Sequence, residues 1–160
     1  VEAYLSLKTK YENIPQLVIA GPGLDTDYGK HIVEMSKDCG DIFFPGMLFG
    51  DSKWGAFYNC EAFILPSHQE NFGIAIVEAM ACEKAVLITN KVNIWREIEK
   101  TKSGYVDNDT IDGIIGLMEK WLSLGYQKKI DMGKNAMHTY KQYFSMKIMT
   151  NNMINVFKNA

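Results

Sequence analysis

Two glutamates, Glu70 and Glu78, stand where acidic groups could do chemistry. They lie in the segment Leu65-Pro66-Ser67-His68-Gln69-Glu70-Asn71-Phe72-Gly73-Ile74-Ala75-Ile76-Val77-Glu78-Ala79-Met80-Ala81. The pattern reads as a strand ending at Pro66, a polar loop, and an apolar helix starting near Phe72. The first amides of a helix have no intrahelical acceptor and sit at the positive end of its dipole, so they can donate to an anion. Gly73 would let a phosphate or sugar approach the backbone closely. Glu78 is the one charged residue between Phe72 and Cys82. A helix apolar on nearly every face is expected to be buried on nearly every face, and a buried carboxylate needs hydrogen-bond partners. Helical side chains lean towards the N-terminus, so Glu78 leans towards the anion site, where a vicinal diol such as a ribose would satisfy both oxygens. Glu70, in the loop, can reach whatever lies beyond the phosphates. The plainer alternative makes Glu70 a solvated loop acid and pairs Glu78 with a lysine or an amide. Spacing leaves both readings open.

The elements that position these residues follow from the apolar runs. Leu17-Val18-Ile19-Ala20, Ile42-Phe43-Phe44, Ala62-Phe63-Ile64-Leu65 and Val86-Leu87-Ile88 are short and apolar on successive residues, as in parallel strands buried on both faces. Gly104-Tyr105-Val106 is a weaker fifth run. Helical spacing fills 1–12, 27–38, 51–60, 72–82, 93–100 and 110–124. Two closing helices are expected at 126–142 and 146–158. The first is patterned by Ile130, Met137, Tyr140 and Phe144, the second by Ile148, Met149, Met153 and Val156. This alternation predicts an α/β fold: a doubly wound parallel sheet of five or six strands, helices on both faces, two C-terminal helices closing it, and one domain over 1–160. Ligands of such sheets bind beyond the carboxyl ends of the strands. The loops to examine are therefore Gly21-Pro22-Gly23, Pro45-Gly46-Met47-Leu48, Pro66 to Asn71, and Thr89-Asn90-Lys91.

Composition narrows the class. The 160 residues are 47% hydrophobic and 22% charged, with a net charge of -2, which argues against a nucleic-acid binder. The charge is uneven: six lysines and one aspartate follow Tyr126, so that stretch carries +5 and the first 125 residues -7. Such asymmetry marks a surface suited to a membrane or a partner. No apolar run reaches the length of a membrane span, and the N-terminus lacks the regions of a signal peptide. Cys39, Cys60 and Cys82 are far apart and read as reduced thiols of a cytoplasmic protein. Asp25-Thr26-Asp27 reads as a helix start with Asp25 as N-cap, since two carboxylates do not make a magnesium site. His68 lacks an evident third group for a triad. His31, His138, Lys91 and Arg96 read as surface or packing residues. The methionines of the tail (Met132, Met137, Met146, Met149, Met153) read as core.

The segment Glu70-Asn71-Phe72-Gly73-Ile74-Ala75-Ile76-Val77-Glu78 resembles the signature of retaining glycosyltransferases of family 4: Glu, seven residues, Glu, with Phe-Gly just after the first. Pro66-Ser67 before it, Ala79-Met80-Ala81-Cys82 after it, the two glycine loops in order and Gly104 downstream extend the likeness over nearly the whole chain. The resemblance implies the C-terminal, Rossmann-like half of a GT-B enzyme, which holds a nucleotide diphosphate sugar as substrate, with no cofactor and no essential metal. It implies that Glu78 binds ribose hydroxyls and that Glu70 acts at the donor sugar as the catalytic-site carboxylate. Amides around Asn71, Phe72, Gly73 and Ile74 would meet the diphosphate and sugar, Gly21 would border them, and Met47 and Leu48 would border the base. It further implies a role in polysaccharide biosynthesis, a cytoplasmic location at the inner face of the membrane, and a peripheral membrane contact. Three departures stand out. Glu83 and Ala85 replace the usual Gly and Pro. No segment precedes residue 1 to supply the family's first strand with its Arg and Lys. The N-terminal acceptor domain is absent, so the chain reads as a fragment that is inactive by itself.

Two other readings stay open at this level. One is a non-catalytic nucleotide-binding or interaction domain of flavodoxin-like topology. A receiver domain would need an aspartate after the third strand, where Pro66-Ser67 stands. The other is a sugar epimerase of the GT-B fold.

Overall fold

The computed structural model describes residues 1–158. The chain folds as two compact units, Val1–Ala56 and Phe57–Ala160. Among the described residues, five strands and the first six of eight α-helices alternate, the last helices follow without a strand, and every strand pairing is parallel. The strands are hydrogen-bonded as a pair, β1–β2, and a triplet in the order β3–β4–β5.

In the first unit, α1 (Glu2–Lys10) buries Ala3, Tyr4 and Leu7. The Tyr4 hydroxyl donates to the Pro15 carbonyl at 2.8 Å. Its burial, reinforced by nearby Asp41, raises its pKa to about 12. β1 (Leu17–Ala20) pairs with β2 (Ile42–Gly46). Between them runs α2 (Asp27–Ser36), whose N-cap is Thr26 and not Asp25: the Gly29 N–H donates to Thr26 Oγ1 at 3.0 Å. A cap position needs extended backbone with its side-chain oxygen over the first turn, and Thr26 meets both conditions. α3 (Gly50–Asn59) carries the chain from the first unit into the second.

The second unit is built around β4 (Ala85–Thr89), buried along its whole length. Its residues alternate between two layers. Val86 and Ile88 face a cluster with Ile76, Val77 and Met80 of α4 (Ile74–Ala81) and Ile98 of α5 (Trp95–Thr101). Ala85 and Leu87 face Leu117 and Trp121 of α6 (Ile111–Leu122). Helices on both faces of a parallel sheet are what the strand–helix alternation predicts. β5 (Gly104–Asp107) closes one side, with a Cβ on Gly104 placed 1.8 Å from the Val86 carbonyl oxygen. Only glycine fits there.

Burial on both faces holds for β4 alone. β1 alternates half-buried with exposed residues, and β3 (Ala62–Leu65) is half-buried throughout. β4 alone has a strand on each edge. The tail also departs from expectation. α7 (Tyr126–Thr139) buries Gly133, Ala136 and Thr139, its small residues, while Ile130 and Met137 are half-buried. The reason is a close approach: a Cβ on Gly133 would stand 2.3 Å from the Glu83 carbonyl oxygen. A π-helical turn, Tyr140–Phe144, leads into α8 (Met146–Lys158). Met146, Met149 and Met153 of α8 are exposed rather than core, and the side chain of Val156 lies outside the described ones. No helix among the described residues is long and apolar enough to cross a membrane.

Candidate functional site

The loop after β3 is held by its neighbours' backbone. The Glu70 N–H donates to the Lys91 carbonyl at 3.2 Å, and the Asn93 N–H donates to the Glu70 carbonyl at 3.0 Å. These bonds make a parallel bridge between Glu70 and Val92, which is fully buried. The hydroxyl of Thr89, also buried, donates to the Ser67 carbonyl. The β3 loop is thereby stitched to the β4 loop at both of its ends.

With its backbone fixed, Glu70 turns its carboxylate onto the start of α4. Glu70 Oε1 accepts from the Phe72 N–H at 3.3 Å and the Gly73 N–H at 3.1 Å. This contact explains why the helix starts at Ile74, two residues later than the apolar pattern suggests. Gly73 is its N-cap at φ +71, ψ 64, a left-handed conformation that strains any residue with a Cβ. Side chain and amides thus form one unit, with a carboxylate seated on two of the donors that the sequence assigned to an anion.

Glu78 lies on the accessible side of α4. Ile76, Val77, Ala79 and Met80 are buried, whereas Glu78 and Ala75 are half-buried and Ile74 is 68% exposed. Ile74 and Glu78 are one helical turn apart and share a face. The expectation of near-complete burial fails here for a clear reason: α4 packs one side on the sheet and α7, and its 74–75–78 stripe opens to solvent. A carboxylate on that stripe avoids the desolvation cost that a core position would impose. Asn71 is exposed at the turn between Glu70 and Phe72.

The other predicted positions belong to the first unit. The Gly21 N–H donates to the Gly46 carbonyl at 2.9 Å, joining the loops at the carboxyl ends of β1 and β2. Gly46 takes φ +75, and Met47 after it is exposed while Leu48 is half-buried. Phe49, 72% exposed, extends this apolar rim and was missed. Its only sequence signal was its place after Met47-Leu48.

Sequence reasoning also missed the partner of His68. His68 Nδ1 lies 3.1 Å from Asp109 Oδ2, with the imidazole 83% exposed. That hydrogen bond is the main cause holding the Asp109 carboxyl below its ordinary pKa. Asn90, just past β4, donates from Nδ2 to Asn108 Oδ1 at 2.9 Å, while its own Oδ1 is buried with no partner among the described residues. The Thr89-Asn90-Lys91 loop was legible as a place to look, but the holding parts of Lys91 and Asn93 were not, because they are played through backbone groups. Asp25 and Asp27 are both exposed in the first unit, and no group of three or more His, Cys, Asp or Glu converges among the described residues.

A family model described as glycosyl transferases group 1 matches residues 1–139. The chain belongs to this family. It is 30% identical over 112 residues to the lipopolysaccharide 1,2-N-acetylglucosaminetransferase of Salmonella typhimurium, a match covering 66% of this chain and 29% of that protein. Among solved structures it resembles Anabaena Alr3699/HepE, determined in complex with UDP and glucose, with a TM-score of 0.81 and 17% identity over 98% of this chain and 44% of that one. It also resembles the C-terminal domain of a group 1 glycosyl transferase (LpcC) from Francisella tularensis, with a TM-score of 0.74 and 22% identity over 91% of this chain and 77% of that one. The fold of this group 1 glycosyl transferase chain is accordingly the Rossmann-like C-terminal half of a GT-B enzyme. The chain spans less than a third of the Salmonella relative's length.

Proposed function

We propose that this chain binds the donor in a retaining glycosyltransferase of family 4, which moves a sugar from a nucleotide diphosphate to an acceptor hydroxyl. The observation that carries the reading is the fixed Glu70 carboxylate over the Phe72 and Gly73 amides, at the carboxyl end of β3. The family match over 1–139 and a relative described as an N-acetylglucosaminetransferase support it.

In this reading the bond from the anomeric carbon to the diphosphate breaks while a bond to the acceptor oxygen forms on the same face. The amides at the start of α4 stabilise the charge that grows on the departing diphosphate. Those of Phe72 and Gly73 are held in place by the Glu70 carboxylate and become donors to the diphosphate when Glu70 turns from them to the sugar hydroxyls. Glu70 orients the sugar hydroxyls and forms no covalent bond. Glu78 takes the ribose diol from the open face of α4. Asn71 and Ile74 flank the sugar and diphosphate. The acceptor domain is supplied by the rest of the full-length protein, so residues 1–160 by themselves transfer no sugar. The six lysines after Tyr126 fit a peripheral contact with an anionic membrane face on the cytoplasmic side, and the acceptor belongs to polysaccharide biosynthesis.

Calorimetric titration of the full-length protein with a panel of nucleoside diphosphates and their sugars tests the reading. Saturable binding of at least one pair, weakened by Glu78→Gln, is expected. No binding across the panel would refute it. Product analysis with a bound donor then separates transfer from epimerisation.

A further inference from the structure

In the sequence His68 has no evident partner group, and the fold supplies one. His68 lies in the loop after β3 and Asp109 in the loop after β5, with the central strand β4 between them. His68 Nδ1 and Asp109 Oδ2 meet at 3.1 Å, at the carboxyl edge of the sheet. Asp109 is half-buried, and this hydrogen bond is the main cause holding its carboxyl below the ordinary range. An ionised carboxylate can only accept, so Nδ1 carries the proton and, in the neutral ring, Nε2 is an acceptor. The imidazole is 83% exposed, so that acceptor faces solvent. Its tautomer and tilt are fixed by the carboxylate behind it, which suits it to hold a hydroxyl.

The loop does not need the pair to keep its shape. The Thr89 hydroxyl on the Ser67 carbonyl and the bridge between Glu70 and Val92 anchor it on either side of His68. An exposed ion pair adds little to that. The direction of His68 also separates it from the donor contacts. Glu70 turns its carboxylate to the start of α4. His68, two residues earlier, turns to Asp109, just ahead of Thr110, the N-cap of α6. α4 and α6 cover opposite faces of the sheet. One loop thus presents a carboxylate on the α4 side and a hydrogen-bond acceptor on the α6 side.

We propose, on the reading that Glu70 holds the donor sugar, that His68, oriented by Asp109, binds a hydroxyl of a saccharide acceptor. A sugar seated between Glu70 and the α4 amides leaves the α6 side of the loop to the molecule that receives it. Only the attacking oxygen of that molecule must reach the anomeric carbon. The rest of a saccharide extends beyond it, and its ring hydroxyls match the open Nε2. His68 is a binding group here and not a base: the hydroxyl it holds is not the one that reacts, and no proton moves. Asp109 is a positioning residue that acts through His68.

Nitrogen-15 spectra of the histidine-labelled full-length protein test this at about pH 9, where imidazoles are neutral. The protein is first saturated with a nucleoside diphosphate that binds it. If none binds, the donor reading fails and this proposal with it, before any saccharide is added. The probes are methyl glycosides and disaccharides of glucose, galactose, mannose and N-acetylglucosamine. His68 should carry its proton on Nδ1, and its Nε2 resonance should move saturably with at least one probe. His68→Ala should weaken binding of that probe about fivefold, the worth of one neutral hydrogen bond. Asp109→Ala should weaken it less, and His68→Gln, whose amide oxygen also accepts, should recover part of the loss. Nucleotide affinity and Tm should stay unchanged in all three. An Nε2 resonance that no probe moves would overturn the proposal. An equal loss of nucleotide affinity in His68→Ala would overturn it by assigning His68 to the donor. A lower Tm in Asp109→Ala with probe binding intact would overturn it by reducing the pair to a loop clip.

Discussion

Replacing Glu83 by glycine should stabilise the protein. Glu83 follows the C-cap of α4 at φ +59. The Lys84 N–H donates to the Ala79 carbonyl at 3.0 Å and the Glu83 N–H to the Met80 carbonyl at 3.1 Å. This pair of bonds defines a Schellman ending, whose left-handed position favours glycine. A residue with a Cβ costs about 1–2 kcal/mol there. The strain has no outlet, because the Glu83 carbonyl oxygen is packed against Gly133 of α7. A carboxylate beside the carbonyl end of a helix costs a further ~0.3–1 kcal/mol. Glycine's extra freedom in the unfolded chain returns about 0.5–1 kcal/mol of the gain. The net is a stabilisation of about 1 kcal/mol, or roughly 3 °C in Tm for a chain of this size. Urea unfolding followed by tryptophan fluorescence should show a higher midpoint at unchanged slope. Glu83→Ala keeps the strained backbone and removes only the carboxylate, so it should recover less than half of the gain. Lys102, at φ +55 after α5, is the internal comparison. Lys102→Gly should gain less than Glu83→Gly, because a cation at a helix C-terminus is favourable. A Glu83→Gly variant no more stable than Glu83→Ala would refute the conformational argument.

Four further outcomes are expected. Glu78→Gln in the full-length protein should weaken donor binding about fivefold with folding intact, since a charge-assisted bond is worth roughly 1 kcal/mol more than a neutral one; calorimetry reads it directly. Glu70→Gln should lower turnover while leaving affinity for the bare nucleoside diphosphate nearly unchanged, and parallel titrations with nucleotide and nucleotide-sugar check the split. Gly104→Ala should destabilise by about 3 kcal/mol, because its Cβ would overlap the Val86 carbonyl and the backbone must shift; a chemical denaturation curve measures it. Lys120 Nζ, 2.8 Å from Asp107 Oδ2, is the main cause holding the Asp107 carboxyl below its ordinary value of 3.8. Its contribution is therefore full above that pH and lost as pH falls through the lower folded value. Lys120→Met should raise the pH of acid unfolding.

Much of this could be read from the residues. The apolar runs at 17–20, 42–44, 62–65 and 86–88 all became strands, whereas the apolar positions from 74 to 81, interrupted by Glu78, became α4. Glu70 was legible as a loop acid before an apolar helix. What escaped were contacts that depend on three-dimensional return of the chain. The start of α4 moved from Phe72 to Ile74 because Gly73 takes a left-handed backbone, with the Glu70 carboxylate accepting from the Phe72 and Gly73 amides just ahead of the helix, a local arrangement that propensity does not weigh. α7 was patterned on its large residues, yet its buried line is Gly133, Ala136 and Thr139, since the carbonyl of Glu83 must come close. Burial of β1 and β3 was overestimated because a run of apolar residues says nothing about whether a strand has neighbours on both sides. Glu83 was legible as a replacement for the family's usual glycine; its left-handed backbone shows what the replacement costs.

The bridge that fixes Glu70 uses only the main chain of its partners. Lys91 contributes a carbonyl and Asn93 an N–H, while both side chains are exposed and the anchoring side chain between them, Val92, is buried. Positions 91 and 93 can therefore vary in size and charge without moving the glutamate they hold. A randomised library at these two sites, with Val92 kept, would explore altered ligand preference at little risk to folding, which makes this turn the natural place to begin re-engineering the protein.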